Sequence, residues 1–418
     1  MILRKWQSEI LSRYKEICLM HKKFILKAPT GAGKTILASE IIKRFYKKKK
    51  IIVLCHRLVL LEQLEKELSI DHKVKKLGIS ETSTSFGNAD IILSTNLRSQ
   101  NAIVEIIKDS DLIIIDEAHR VSPVGRAYKN VLDVFDEKGK HNSRIMGLTA
   151  SPERRTGNQN DQLGLAFDAI IDCADINSLI RENVLVTPVY KPYFIHDLNL
   201  KHTEIKNGDF PIAVLSNAII KSSMINYAVS IYSKERCAVR PKPISAWFCP
   251  DIAVAEKTLE TIRNKNIKCE MLTAITPAGD RKKIIANHLS GKIEALVSVG
   301  VLIEGWDNPN CNVIVHLRPT LSKVLWGQSV GRGLRSSFKK DKCIIIDVSS
   351  NWSTFGPVEN LKWDLWSHRR SFMKFKNRFN WIAQQFDENE KKSSFFICEG
   401  KNSSNIRCSY MYKKNIYK

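Results

Sequence analysis

Two glycines, a lysine and a threonine in the stretch APTGAGKT, Ala28 to Thr35, have the types and spacing to hold a phosphate. Gly31 and Gly33 let the backbone curl with its N–H groups facing inward, at the positive end of the helix that follows. In such a curl Thr30, Gly31, Ala32 and Gly33 line the cradle, Lys34 reaches the β- and γ-phosphates, and the Thr35 hydroxyl ligates Mg2+. The pattern usually opens on a glycine, and Ala28 stands there instead. Further along, DLIIIDEAHR runs an apolar strand straight into Asp116 and Glu117. There Asp116 can hold the metal through water, and Glu117 can orient or deprotonate the water that attacks the γ-phosphate. A carboxylate pair after a strand is weak evidence alone. Downstream of a GKT cradle in the same predicted lobe, it specifies ATP hydrolysis with ATP and Mg2+ as cofactors.

These residues need a scaffold that holds them at one edge. From about residue 24 short β-branched runs alternate with helical patterns: FILKA, ILASEIIKRFY, IIVLC, a helix through LVLLEQLEKEL, DIILS and DLIIID. That alternation predicts a parallel sheet covered by helices. A second series begins at ISAWFC, passes through a helix over IAVAEKTLETI, and continues through EALVSV and NVIVHL to CIIIDV. Between the two, Pro188, Pro192 and the Asn-Gly at 207–208 read as an irregular connection. The expected organisation is an N-terminal lobe over 1–185, a linker over 186–210, a second lobe over 211–350 and an aromatic and basic extension over 351–418. In the extension Trp363, Trp366, Phe372, Phe375 and Phe379 fall at nearly helical spacing, which predicts a stripe packed on the second lobe. The polar end of the chain has the low apolar content of a partly disordered tail.

Composition narrows the partners. The 418 residues suit two domains and an extension, and 43% hydrophobic with 26% charged content is that of a globular protein. No run approaches the roughly 18 consecutive apolar residues of a membrane-spanning helix. The N-terminus, MILRKWQSEILSRYKEI, lacks the apolar core of a signal peptide, so a cytoplasmic chain is expected, nucleoid-associated in a bacterial cell. The ten cysteines stand singly, several within apolar runs, which predicts buried reduced thiols. Cys398 and Cys408 are half of a metal site at most. A net charge of +23 attracts a polyanion, and nucleic acid is the leading partner.

Eight segments in order, APTGAGKT, HRLVLLEQ, LSTN, DEAH, LTASP, ISAWFCP, VLIEGWDNP and QSVGRGLR, resemble the motifs of the superfamily 2 helicases and translocases of the DEAD/DEAH-box type. The resemblance extends to about residue 350 and implies two RecA-like P-loop NTPase lobes with a short C-terminal helical extension. Within that group LRPTLSKVLWGQSVGRGLR, LTASPERRTG and the opening LRKWQ look most like bacterial RadD-type DNA-repair helicases. Those relatives continue into a cysteine-rich zinc region that this chain does not match.

The resemblance implies further roles. Arg332 and Arg335 become arginine fingers for the phosphoryl group, and Gln328 with His119 a pair linking the lobes. Gly305 and Asp307 meet the ribose or the fingers, and Gln7 with Arg4 reads or stacks on the adenine. Arg57, Ser94 and Thr95 are candidates to hold a nucleic-acid backbone. Thr149 and Ser151 couple hydrolysis to movement or touch the strand themselves. The expected activity is that of an ATP-dependent helicase or translocase, with DNA favoured over RNA. The motor of a restriction or phage-defence complex and an ATP-switched clamp are the alternatives, and backbone-tracking contacts leave RNA open.

Overall fold

A computed structural model of the chain describes residues 3–366 except 56–61, 63, 67, 71, 78–84, 96–99, 139–141, 155–158, 196, 199, 201–202, 207, 241 and 304–305. It also describes the backbone of 396–401 and 407–412. The chain divides into two compact units, Met1–Leu179 with Lys362–His368, and Ile180–Leu361 with the C-terminal residues. Each is built on one parallel sheet.

In the first unit the strands are β1 (Lys23–Lys27), β2 (Ile51–Cys55), β3 (Val74–Leu77), β4 (Ile91–Thr95), β5 (Leu112–Asp116), β6 (Arg144–Thr149) and β7 (Ala169–Asp172). They lie in the order β3-β4-β2-β5-β6-β1-β7. Every pairing is parallel. IIVLC is buried at all five positions and LIIID at four, as expected for strands covered on both faces. Ile52, Leu54, Ile113 and Ile115 meet Val131, Leu132 and Phe135 of the Arg126–Lys138 helix in one core. Parallel strands bring all their carboxyl ends to one edge, so the residues after β1, β5 and β6 are neighbours whatever their distance in sequence.

The second unit holds β8 (Thr187–Pro192), β9 (Ser245–Cys249), β10 (Cys269–Leu272), β11 (Ala295–Val299), β12 (Val313–His316) and β13 (Lys342–Asp347), in the order β10-β11-β9-β12-β13-β8. It too is parallel throughout. Its core joins Trp247, Val297, Val315 and Ile346 of the sheet to Tyr232 and Ile262 of the covering helices.

Two expectations are corrected. Residues 187–192 are not irregular connection: they form β8, paired along its length with β13. Pro188 and Pro192 obscured it, yet a proline without an N–H is tolerated on an edge strand, and β8 is the edge. The extension divides: residues 351–361 stay with the second unit, but the stretch holding Trp363 and Trp366 goes to the first, where Leu365 is buried in the core and its carbonyl accepts from the Gly164 N–H at 3.1 Å. Phe372, Phe375 and Phe379 lie outside the described residues. In the tail expected to be disordered, β14 (Phe396–Lys401) and β15 (Arg407–Tyr412) pair antiparallel, with Cys398 opposite Tyr410 and Cys408 opposite Gly400. Of the cysteines expected to be buried and reduced, Cys55, Cys249, Cys311 and Cys343 are buried and outside any disulfide, while Cys237 is exposed.

Candidate nucleotide site and second-lobe arginine cluster

The phosphate loop leaves β1 at Lys27 and enters the Lys34–Phe45 helix. Gly33 caps that helix at φ 98°, a left-handed conformation open to glycine, and Gly31 also has positive φ. A Cβ at Gly33 would stand 3.0 Å from Gln7 Nε2 and 3.2 Å from Arg4 Nη1, so a side chain there would crowd the brace as well as strain the backbone. Lys34 Nζ donates to the Ala28 and Pro29 carbonyls at 2.8 and 3.1 Å, the ammonium folded across the mouth of its own loop. Thr35 stands in the first turn of the helix, and Thr30, Gly31 and Ala32 form the turn before it.

The N-terminal element braces this loop from outside. The Lys5–Met20 helix starts with a one-sided cap in which the Arg4 N–H donates to Gln7 Oε1 at 2.9 Å. Gln7 Nε2 donates to the Gly33 carbonyl at 3.0 Å, and Arg4 Nη1 reaches the carbonyls of Gly31, at 3.4 Å, and Ala32. Gln7 is 1% exposed. The structure thus brings both sequence-predicted adenine residues to the phosphate loop itself.

Asp116 ends β5, and Glu117 follows with φ 51°, a strained conformation for a residue with a side chain. The turn continues as a short 3-10 segment, Ala118–Arg120, closed by the Arg120 N–H on the Glu117 carbonyl at 2.9 Å. Ala118 packs on β6 at Gly147, where an added Cβ would come within 2.7 Å of the alanine methyl. That close approach lets His119 reach the end of β6: its Nδ1 lies 3.0 Å from Thr149 Oγ1 and 3.5 Å from Glu117 Oε2. Thr149 Oγ1 also accepts from the Ser151 N–H at 3.1 Å, and the Thr149 carbonyl accepts from the Ala28 N–H at 3.3 Å. A chain of contacts therefore runs from Glu117, whose carboxylate lies close to His119, through the His119–Thr149 hydrogen bond to the start of the phosphate loop. Thr149 and Ser151 are buried at 0% and 1%, which suits coupling inside the lobe better than contact with a strand outside it.

The donor set fits Mg2+ held with a triphosphate: one hydroxyl from Thr35 and one carboxylate from Asp116, on a cation that usually takes few protein ligands and keeps waters and phosphate oxygens. Among the described residues no group of three or more His, Cys, Asp and Glu side chains offers an all-protein metal site. Of the nucleic-acid candidates, Ser94 is buried in β4 and Thr95 ends that strand. Arg57 lies outside the described residues.

In the second unit the Lys323–Gly333 helix carries Gln328 and Arg332, with Arg335 two residues beyond its end. The helix starts on Ser322, whose hydroxyl accepts from the Leu325 N–H at 3.2 Å. Arg332 Nε donates to the Ile303 carbonyl at 2.8 Å and Nη1 to the Trp306 carbonyl at 3.2 Å. Arg335 Nη1 donates to the same Trp306 carbonyl at 3.1 Å and to Asp307 Oδ1 at 2.5 Å. Asp307 is the exposed partner, its side chain 70% accessible against 14% for Arg335. The structure thus joins Arg332, Arg335 and Asp307, while Gly305 lies outside the described residues. Gln328 is buried on the same helix. Ser298, the hydroxyl nearest the arginine loop in sequence, is buried and accepts from the Leu302 N–H at 3.3 Å.

Two supporting residues carried no signal in the sequence. Asp209 accepts from Thr320 Oγ1 at 2.6 Å and the Leu321 N–H at 2.8 Å, fastening the segment that enters the arginine helix. Asn351 donates to His316 Nδ1 at 3.2 Å and to the Arg318 carbonyl at 2.9 Å on the same segment. A single Asp in an Asn-Gly-Asp turn and a single Asn after a strand look like ordinary turn residues.

The fold and the cradle define a P-loop NTPase with two parallel-sheet lobes of the RecA-like kind. Residues 1–154 match the model described as "Type III restriction enzyme, res subunit", and residues 237–337 the "Helicase conserved C-terminal domain". The chain carries the paired domains of a superfamily 2 helicase. It is 26% identical over 363 residues to the Saccharomyces cerevisiae protein described as "Putative ATP-dependent helicase IRC3", covering 83% of this chain and 51% of that protein. It is 23% identical over 382 residues to the DNA 3'-5' translocase XPB2 of Sulfurisphaera tokodaii, covering 83% of this chain and 81% of the relative. Among solved structures, the DNA-bound ATP-dependent Type ISP restriction-modification enzyme LlaBIII superposes with a TM-score of 0.58 at 18% identity, over 92% of this chain and 29% of that one. The chain spans about half the length of the yeast relative and less than a third of the restriction enzyme.

Proposed function

We propose that this protein is an ATP-driven motor that moves along or remodels nucleic acid. The observation that carries the reading is the path from the Glu117 carboxylate through His119 and Thr149 to the phosphate loop. Such a path transmits the state of the γ-phosphate into the sheet edge from which the lobe would grip its track. In this reading the loop 28–35 binds the triphosphate and Lys34 exchanges its carbonyl partners for phosphate oxygens. Thr35 and Asp116 would hold Mg2+, which supplies charge neutralisation on the β- and γ-oxygens when bound. Glu117 orients and deprotonates the attacking water, its carboxylate fixed by the left-handed backbone of the turn. Arg332 and Arg335 supply planar, permanently charged groups for the phosphoryl transfer.

DNA is the favoured track. The +23 charge supports a polyanionic partner, and the XPB2 relative is named as a DNA translocase. A RadD-type role in DNA repair is the finer reading, supported by LRPTLSKVLWGQSVGRGLR and LTASPERRTG. The match of residues 1–154 to a restriction-enzyme subunit favours a second reading, a restriction or defence motor whose nuclease is a separate part.

The deciding experiment measures steady-state ATP turnover with single-stranded, duplex and branched DNA and with RNA, followed by strand displacement on whichever polymer stimulates most. Lys34→Ala should abolish turnover by removing the partner of the phosphate charge. Full ATPase activity in that variant would overturn the site, and stimulation without displacement would point to a translocase or clamp rather than an unwinding enzyme.

A further inference from the structure

We propose that Lys340 is a positioning residue for the arginine cluster: its buried ammonium ties the carbonyl of Arg335 to the loop that follows Asp307, and so sets where the Arg335 guanidinium stands. Lys340 belongs to the run FKKDK that leads from the arginine helix into the first residue of β13. Its neighbours Phe338, Lys339, Asp341 and Lys342 are exposed, while Lys340 is only 7% accessible. The inversion comes from a tight turn: the Lys340 N–H donates to the Ser337 carbonyl at 3.1 Å, and Lys339 takes a left-handed φ of 63°. That turn points one lysine of the run inward and leaves the others outside.

Inside, Nζ donates to the carbonyls of Arg335 at 2.7 Å, Pro309 at 2.9 Å and Cys311 at 2.6 Å. An ammonium has three donors, and here three carbonyls take them. Among the described residues no carboxylate pairs with it. A buried charge answered by backbone carbonyls alone is a costly arrangement, and a neutral side chain would fill the space more simply. The cost falls where the second-lobe site is assembled. Arg332 and Arg335 grip the carbonyls of Ile303 and Trp306 on the near side of Asp307, and Lys340 grips those of Pro309 and Cys311 on its far side. Three cations thus hold one loop, and the third is bonded to the backbone of Arg335 itself. Removing it frees Arg335 and the Asp307 loop to shift relative to each other without removing any group that touches ATP. Displacements of that kind lower the rate of the chemical step more than they lower binding.

The inference rests on the reading of Arg335 as a residue of hydrolysis, and the test separates the two. Lys340→Met and Lys340→Gln are made in the full chain, with Arg335→Ala and the combination of Lys340→Gln with Arg335→Ala beside them. ATP turnover is measured with the most stimulating nucleic acid, and folding by thermal melting. For the Lys340 variants kcat should fall between about tenfold and about a hundredfold, with KM for ATP held within about twofold. On the residual turnover of Arg335→Ala, the added Lys340→Gln change should have little further effect, because it acts through a side chain already gone. Wild-type kcat in both Lys340 variants, an equal loss with and without Arg335, or failure of both variants to fold would overturn the positioning role and leave the arginine assignment standing. A wild-type chain without ATP turnover, or full activity in Arg335→Ala, would overturn the reading of the site and this inference with it.

Discussion

At the scale of single residues, the N-terminal pair Arg4 and Gln7 makes contacts that its motif does not announce. LRKWQ marks an adenine-reading element by resemblance, but the amide of Gln7 is hydrogen-bonded to the Gly33 carbonyl and to the Arg4 N–H. Its measurable contribution should therefore be to the shape of the phosphate loop, which every nucleoside triphosphate shares. We expect Gln7→Ala to raise KM for ATP and GTP by similar factors. A loss confined to ATP would return Gln7 to the base. Glu117 carries a second residue-scale feature that its type could not announce. A non-glycine residue at φ 51° stores on the order of 1–3 kcal/mol of strain, held in place by the surrounding turn, and such strain clusters where a carboxylate must be aimed.

At the scale of elements, the second lobe is organised around two buried histidines. His288, on the Ala278–Leu289 helix, sits 3.1 Å from the Ser245 carbonyl through Nε2 and receives Asn308 Nδ2 on Nδ1 at 3.0 Å. His316 ends β12, with Nε2 at 2.5 Å from Ser329 of the arginine helix and Nδ1 facing Asn351. The Ser329 hydroxyl donates onward to the Trp326 carbonyl, so the neutral ring protonated at Nε2 satisfies every partner. Burial pushes His288 from its ordinary 6.5 down to about 4 and His316 to about 3. Since the unfolded chain binds these protons first, the two rings contribute full stability above pH 6.5. That contribution is lost as pH falls from there through the folded values, at about 1.4 kcal/mol per unit for each. Thermal unfolding followed from neutral pH down to about 4 should show this loss, and His316→Gln should flatten it. A melting temperature constant across that range would remove the two histidines as acid-labile elements.

At the scale of the whole molecule, the proposed motor, a chain of net charge +23, should bind a phosphate backbone with a strong salt dependence. If six phosphates are neutralised, affinity for DNA falls about a thousandfold between about 50 and about 200 mM salt by counterion release. Binding that is flat across that range would place the recognition elsewhere than on the basic surface. At this scale too the two-lobe architecture was visible beforehand, because buried parallel strands must be nearly continuous apolar runs and the intervening helices must be amphipathic. Motif order then carried the family. The strand Thr187–Pro192 was not visible, since its two prolines forbid a central strand and only its edge position permits them.

The sequence by itself pointed to the cradle and the carboxylate turn, because each depends on residue types at short spacing, glycines that curl and acids that end a strand, while the paired arginines came from the resemblance of QSVGRGLR. Tertiary structure decided which supporting residues serve them. Lys339, Lys340 and Lys342 are alike in a string of letters, and only the Ser337–Lys340 turn sends one of them beneath Arg335. Asp209 reaches the entry to the arginine helix across more than a hundred residues, with a contact separation of 112 positions to Leu321. Likewise Leu365 returns to the first core with Lys362–His368, although the chain before that segment, Ile180–Leu361, belongs to the second unit. Each of these depends on where a folded backbone brings distant atoms, and local spacing carries no trace of it.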